Sequence, residues 1–336
     1  MSEFDLIRRL QEVICAPGAA YRPHCVLGIG DDAAVLELPA ARQLVACTDT
    51  LVEGVHFPAA TGAAAIGHKA LAVNLSDLAA MGAEPAWFLL ALTLPGADPA
   101  WLESFAQGMA RLASDHSIYL AGGDVAAGPL NICVTALGLV EPGRALTRSG
   151  AAPGDLVVVS GQPGAAARAL DALQSGGVPD DRDLAALEFP QPRLKLGLAL
   201  RGLATACIDL SDGLLADLGH ILEASGVGAE LELHRLPCAE SMRSLPEEKR
   251  WHWQLAGGDD YELCFTLPPA LAGRLDTLQR ATALDLTVIG RITAEPGLAV
   301  WRPDCSPYRA ERPGYEHFSG EPFSSEHFGG KGAARS

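Results

Sequence analysis

EPGRALTRSGAAPGD, residues 141–155, decides how the rest of the chain is read. Three glycines and two prolines in so short a run break helical and strand patterning alike. On both sides the pattern alternates short β-rich runs with longer Ala/Leu-rich ones. The stretch therefore reads as a connection between two α/β halves of similar size. Before it, strands are predicted at Ala33–Leu38, Leu44–Thr48, Trp87–Thr93 and Asn131–Val140, and helices at Ala63–Met81 and Pro99–Ser114. After it come strands at Leu156–Ser160, Thr205–Ile208, Ala229–Leu233, Tyr261–Thr266, Leu286–Ile292 and Leu298–Trp301. Helices are predicted around 164–175 and 193–202 and at Gly213–Ser225. Neither half is a simple βαβ repeat, so the expected class is α/β with mixed sheets. The domains expected are 1–148 and 149–318, with a Gly/Ser-rich tail, 319–336, predicted to be disordered.

Composition sets outer limits. The 336 residues carry 41 acids against 25 basic residues, a formal net charge of −16. With 49% hydrophobic and 20% charged residues, the chain can bury a real core, which excludes disorder throughout. The acidic balance excludes binding of nucleic acid by overall charge. The first residues contain acids and no continuous apolar block, unlike a signal peptide. No apolar run approaches the ~20 residues of a membrane span. Phe4, Ile7, Leu10, Val13 and Ile14 recur at helical spacing and predict an amphipathic first helix. Eight cysteines form no C-x-x-C pair and nine histidines no close metal-ligand pair, so disulfide staples and a zinc site are not expected. A reduced, cytoplasmic protein is the expectation.

Two motif matches fail on physical grounds. Gly28-Ile29-Gly30-Asp31-Asp32-Ala33 fits G-x-G-x-x-G/A formally, yet adjacent carboxylates would meet the pyrophosphate, and a strand rather than a helix follows. Gly161-Gln162-Pro163-Gly164 leads into alanines and is no Walker A loop.

The chemistry lies in the aspartates and their neighbours. Asp31 and Asp32 follow a Gly-x-Gly turn, and Thr48-Asp49-Thr50 is expected to end a strand. Asn74 and Asp77 share a helix face beside Ser76; Asp124 follows Gly122-Gly123; Asp209 and Asp212 bracket Ser211; Asp259 and Asp260 follow Gly257-Gly258. Singly, most have ordinary explanations. Asp209, Asp212 and Asp259 precede helices as caps would, and Asp124 suits a turn. Asp77 differs, because it sits in an apolar helical segment where an uncompensated carboxylate is costly. Collectively, short carboxylates with Ser, Thr and Asn neighbours, glycines and almost no Cys or His match the hard-oxygen set Mg²⁺ demands, completed by substrate phosphates. Acids from both halves are expected to share one cleft.

GIGDDAAV (28–35), TDTLVEGVHF (48–57), KALAVNLSDLAAMGAEPAW (69–87), GGD (122–124), IDLSDGLLADLGHI (208–221) and GGDDYELCF (257–265) together resemble the thiamine-monophosphate kinases, within the aminoimidazole-ribonucleotide synthetase-like superfamily. The likeness runs from the first helix to GYEHF (314–318). It implies transfer of the ATP γ-phosphoryl group to thiamine monophosphate, the last step of thiamine diphosphate formation. It also implies several Mg²⁺ ions, a two-domain fold and a homodimer built through the N-terminal domains. Position by position, it assigns Asp32, Thr48, Asp49, Asp77, Asp124, Asp209 and Asp212 to Mg²⁺. Of these, Asp32, Asp49, Asp77, Asp124 and Asp212 carry the chemistry. Gly123, Asp124, Arg148 and Ser211 fall to the nucleotide, and His56, Asp259 and Tyr315 to thiamine monophosphate.

Three positions depart from the family pattern: Cys47 before Thr-Asp, Val125 after Gly-Gly-Asp, and Asp259 where Glu is frequent. Other readings are another ATP-using superfamily member or a non-catalytic nucleotide-binding homologue. Intact acids in both halves weigh against the latter. Selenophosphate-type and hydrogenase-maturation relatives use reactive or terminal cysteines; here the final residues, GGKGAARS, hold no Cys, and no Cys or Lys pair sits near the N-terminal glycine loop.

Overall fold

The computed structural model describes residues 3–15, 24–310 and 314–316. The tail expected to be disordered lies outside the described residues. The chain divides into two compact units. The first takes the chain to Leu75 and then Pro85–Leu139; the second takes Ser76–Glu84 and Val140–His317. The segment 76–84, which the pattern groups with the first half, clusters with the second unit, so the division passes through helix α2 (Ala63–Ala80).

In the first unit a sheet of four strands has the order β3 (Gln43–Val52), β6 (Asn131–Val140), β4 (Glu84–Leu94), β5 (Tyr119–Ala127). β4 and β5 run parallel. α1 (Glu3–Ile14) buries Leu6, Leu10 and Ile14, a stripe of residues four apart, while Ile7 and Val13 stay partly exposed. A small antiparallel pair, β1 (Cys25–Leu27) and β2 (Val35–Leu36), replaces the longer strand expected at 33–38. The G-x-G-x-x-A stretch leads into β2 and not into a helix, as its rejection as a dinucleotide loop requires.

α3 (Pro99–Asp115) starts on Asp98, whose Oδ1 accepts the Ala100 N–H at 2.9 Å, with Pro99 in the first turn. It packs closely on α2. A Cβ added at Gly67 would stand 2.1 Å from the Phe105 carbonyl oxygen, and one at Gly108 2.0 Å from that of Ala64. α2 is apolar nearly all round, as a helix enclosed on every side must be. Among residues 71–80, Asp77 alone is not buried.

The second unit holds seven strands in the order β13 (Pro307–Tyr308), β12 (Gly297–Trp301), β9 (Gly228–Glu232), β11 (Leu286–Thr293), β7 (Leu156–Ser160), β10 (Leu263–Leu267), β8 (Ala206–Asp209). Among the described residues of this sheet only β9–β12 is a parallel pair; mixed pairing is what two non-repeating halves predict. α7 (Leu214–Ser225) turns Leu214, Leu218 and Ile221 into a core shared with Val157, Ile208 and Ile289. Each such side chain contributes about 1.5–3 kcal/mol by leaving water.

Three helices escape the sequence pattern: α5 (Asp181–Glu188), α8 (Glu247–Ala256) and α9 (Leu275–Thr282). α4 (Ala165–Gln174) and α6 (Leu194–Leu200) fall where expected. In α8 the apolar residues Trp251, Trp253 and Leu255 alternate as a strand's would, yet all three are buried. Packing against neighbouring elements, not periodicity, makes this segment helical.

Candidate active site

The second unit gathers its acids at one loop. β8 ends on Asp209, which is 5% exposed and whose Oδ2 accepts the Ser76 hydroxyl at 2.7 Å. The chain then turns through Leu210–Gly213 into α7. This loop is laced to the Gly-Gly-Asp-Asp-Tyr-Glu segment. Leu210 donates to the Glu262 carbonyl at 2.8 Å and accepts from the Tyr261 N–H at 2.8 Å; the Asp259 N–H donates to the Ser211 carbonyl at 2.9 Å. The Tyr315 N–H donates to the Asp212 carbonyl at 2.9 Å. Asp209, Ser211, Asp212, Asp259 and Tyr315, five positions selected from sequence, thus come together.

The capping explanation of these acids does not hold. α7 is preceded by Gly213, which has no side chain to cap with. The loop's N–H groups are taken instead by Asp217, from inside the first turn. Its Oδ2 accepts from Ser211 at 3.0 Å and from Asp212 and Gly213 at 3.1 Å each. Asp209 and Asp212 do not cap α7. Asp217 is the residue that the sequence reading missed; an acid in the first turn of a helix was its one signal.

Asp259 adopts a left-handed backbone, φ +67°, as does Tyr261 at φ +50°. Non-glycine residues pay for that conformation only where the surroundings hold them; here Tyr261 Oη donates to Asp259 Oδ1 at 2.9 Å. Asp260 faces elsewhere, both carboxylate oxygens accepting the Gly164 N–H. Behind them, Arg193 grips the buried Glu262 with two nitrogens, Nε at 2.7 Å and Nη2 at 2.5 Å.

Charge is crowded here. Burial, then Asp209 and Asp212, push the Asp217 carboxyl up to about 7, against the pull of its N–H donors. The Tyr315 hydroxyl is likewise raised, by burial and then by Asp212 and Asp259. Asp77 belongs to this unit, and at the end of α2 it is half-buried rather than enclosed as the apolar segment predicts. Arg148 stands exposed in the connecting stretch, its carbonyl held by the Ser225 hydroxyl at 3.3 Å.

The first unit spreads its acids out. Thr48-Asp49-Thr50 lies inside β3, which continues to Val52, rather than at its end. Neighbouring side chains in a strand point to opposite faces. Thr48 Oγ1 hydrogen-bonds the Val134 carbonyl at 3.1 Å and the Thr135 hydroxyl at 2.9 Å on β6; Asp49 lies on the other face, its carboxyl raised by burial. Cys47 shares the Asp49 face and its thiol approaches the Asn74 carbonyl at 3.4 Å. Asp124 is within β5, not in a turn. Gly123 before it has φ +154°, and a Cβ there would stand 1.9 Å from the Leu90 carbonyl oxygen of β4, so only glycine fits. Val125, after it, is buried. Asp32 is exposed after the Gly-x-Gly turn. His56 Nδ1 accepts the Val52 N–H at 3.0 Å, and Lys69 Nζ donates to the His56 carbonyl at 3.3 Å.

These donors suit a hard cation: carboxylates and hydroxyls, with Asn74 Oδ1 wholly buried and without a hydrogen-bond partner. Among the described residues, no three His, Cys, Asp or Glu side chains already form a metal-binding group. A bound ion would need oxygen from substrate or water to complete its shell.

Known proteins answer to the same plan. The N-terminal domain model of AIR synthase related proteins matches residues 30–140, and the C-terminal domain model matches 152–302. Together they define a two-domain protein of the AIR synthase related class. Within it, the thiamine-monophosphate kinase of Escherichia coli K12 is 46% identical over 324 residues, 94% of this chain and 98% of its own. The crystal structure of thiamine-monophosphate kinase from Stenotrophomonas maltophilia K279a is 46% identical, with a TM-score of 0.83 over 89% of this chain and 96% of that one. AaThiL complexed with AMPPCP and TMP is 30% identical, with a TM-score of 0.72 over 94% and 97%. The chain belongs to the thiamine-monophosphate kinase family.

Proposed function

We propose that this chain transfers the γ-phosphoryl group of ATP to thiamine monophosphate, yielding thiamine diphosphate and ADP. The carrying observation is the second-unit loop, where Asp209, Asp212 and Asp259 are held together by backbone bonds rather than used as caps. The family's relatives and the AaThiL complex with AMPPCP and TMP support the substrates.

The attacking group is a phosphate oxygen, already ionised near pH 7, so no general base is needed. Catalysis then rests on in-line positioning and charge neutralisation. Mg²⁺, when bound, neutralises charge on the transferring group. Asp32, Asp49, Asp77, Asp124, Asp209 and Asp212 would hold it; Thr48 would do so through its carbonyl, since its hydroxyl is engaged on β6. Arg148 and Ser211 donate to the nucleotide phosphates, and Gly123 lets the backbone pass close by. His56, whose Nδ1 accepts the Val52 N–H, is placed with thiamine monophosphate. Asp259 and the ring of Tyr315 face the cationic thiazolium.

The acting form is a homodimer. Asp49 and Asp124 sit on opposite edge strands, β3 and β5, about 14 Å apart at roughly 4.8 Å per strand step. One ion cannot take both from one copy, whereas β3 of one copy beside β5 of another would unite them.

Purified protein incubated with ATP, Mg²⁺ and thiamine monophosphate is expected to form thiamine diphosphate, measured by chromatography. ADP release that ignores thiamine monophosphate, or no turnover at all, would sink the reading.

A further inference from the structure

Asp217 lies in the first turn of α7 and is 2% exposed. Three successive backbone N–H groups, those of Ser211, Asp212 and Gly213, converge on its Oδ2 alone. Converging N–H groups before a helix ordinarily make a nest for an outside anion, a phosphate above all. Here the chain fills that nest with its own carboxylate. The two carbonyls alongside are taken as well, Ser211 by the Asp259 N–H and Asp212 by the Tyr315 N–H. Every backbone polar group of Ser211 and Asp212 therefore has a fixed partner. The direction in which their side chains leave the backbone is fixed with them.

We infer that Asp217 is a positioning residue of the phosphoryl-transfer site, acting through the Ser211–Gly213 backbone and not by touching substrate. It has two effects. It sets the Asp212 carboxylate and the Ser211 hydroxyl in place before ligands arrive. It also withdraws the loop's N–H groups from phosphate, so the loop meets phosphate through the Ser211 hydroxyl and cations through its carboxylates. The inference rests on the proposed kinase reading for its kinetic part only; the backbone part stands apart from it.

The test uses the full chain with Asp217→Asn and Asp217→Ala. Hydrogen exchange of the wild type should find the Ser211, Asp212 and Gly213 amides protected; rapid exchange there would overturn the inference before any variant is made. In Asp217→Asn, which keeps the shape and one acceptor, those amides should exchange at least about tenfold faster while the β7, β10 and β11 amides stay protected, a local loss. Its kcat should fall about 100-fold with the KM for thiamine monophosphate within about threefold, the signature of misplaced catalytic groups. Asp217→Ala should fall further. A folded Asp217→Asn protein with wild-type kcat overturns the positioning role, since a purely structural cap would change melting temperature and yield but not the turnover of folded molecules. Should the wild type itself make no thiamine diphosphate, the kinase reading fails, and amide exchange alone then decides for or against Asp217.

Discussion

Two short motifs echo each other along the chain, Thr48-Asp49-Thr50 and Asp209-Leu210-Ser211-Asp212. Their fates differ. The first is part of a regular edge strand, whose ladder sends consecutive side chains to opposite faces. The second ends a strand and is stapled by Asp217 and by the 259–262 segment into a fixed loop. A strand disperses neighbouring acids, while a stapled loop concentrates them. That is why in the second unit Asp217 and Tyr315 are raised by burial and then by neighbouring acids, whereas burial alone raises Asp49.

The contrast is broken most sharply at Asp212. Asp212→Asn should lower kcat by about 10³, the scale for loss of one preorganised charge-stabilising group, with the melting temperature nearly unchanged because the residue is half-exposed. Wild-type turnover in that variant would mean that the concentrated acids are merely structural.

The dispersed acids call for a different experiment. Asp49→Asn and Asp124→Asn should each be inactive alone. Mixed and allowed to exchange subunits, they should recover roughly a quarter of wild-type activity, because half the closed two-fold dimers are mixed and each of those has one intact site. No recovery despite demonstrated exchange would rule out a site shared between copies.

Glu262 tests what backs the second loop. It is buried, accepts from the Ser160 hydroxyl at 2.5 Å, and is gripped by Arg193. Glu262→Gln leaves that arginine uncompensated and should cost about 3–5 kcal/mol of stability, read by urea unfolding. A cost below about 1 kcal/mol would match an exposed pair and contradict the burial.

The smallest effect is a pH trend. Asp217's carboxyl is raised in the fold from the ordinary aspartate range to about 7, so the folded state binds its proton more tightly than the unfolded chain. Its contribution is present in full below about pH 4 and is lost as pH rises through about 7. In metal-free buffer, the melting temperature of the wild type should decline over that window relative to Asp217→Asn. Parallel curves for the two proteins would refute the shift.

Much of this was legible beforehand, and for a common reason. The connection at 141–155, the apolar run of α2 and the strands at 131–140 and 156–160 are local patterns that burial reinforces. The acids of the second loop were legible from residue type and glycine neighbours. Asp217 was not, because in sequence it is one more polar residue on an amphipathic helix; only the loop folding back over it shows three donors meeting one oxygen. α8 was hidden because its tryptophans alternate like a strand's. Asp124 looked like a turn residue because no local signal reveals that Gly123 is pressed against Leu90 of a parallel neighbour.

The amino-acid order by itself determined that β-rich runs alternate with helical ones on either side of 141–155 and that aspartates recur beside glycine, serine and threonine, since each follows from residue type and near spacing. Tertiary structure alone decided which acids stand together. Strand order places Asp49 and Asp124 at opposite sheet edges, and backbone hydrogen bonds between distant segments draw Asp209, Asp212 and Asp259 into one loop cluster. Those are long-range pairings, set by packing and hydrogen bonding across many residues, and no local window of sequence contains them.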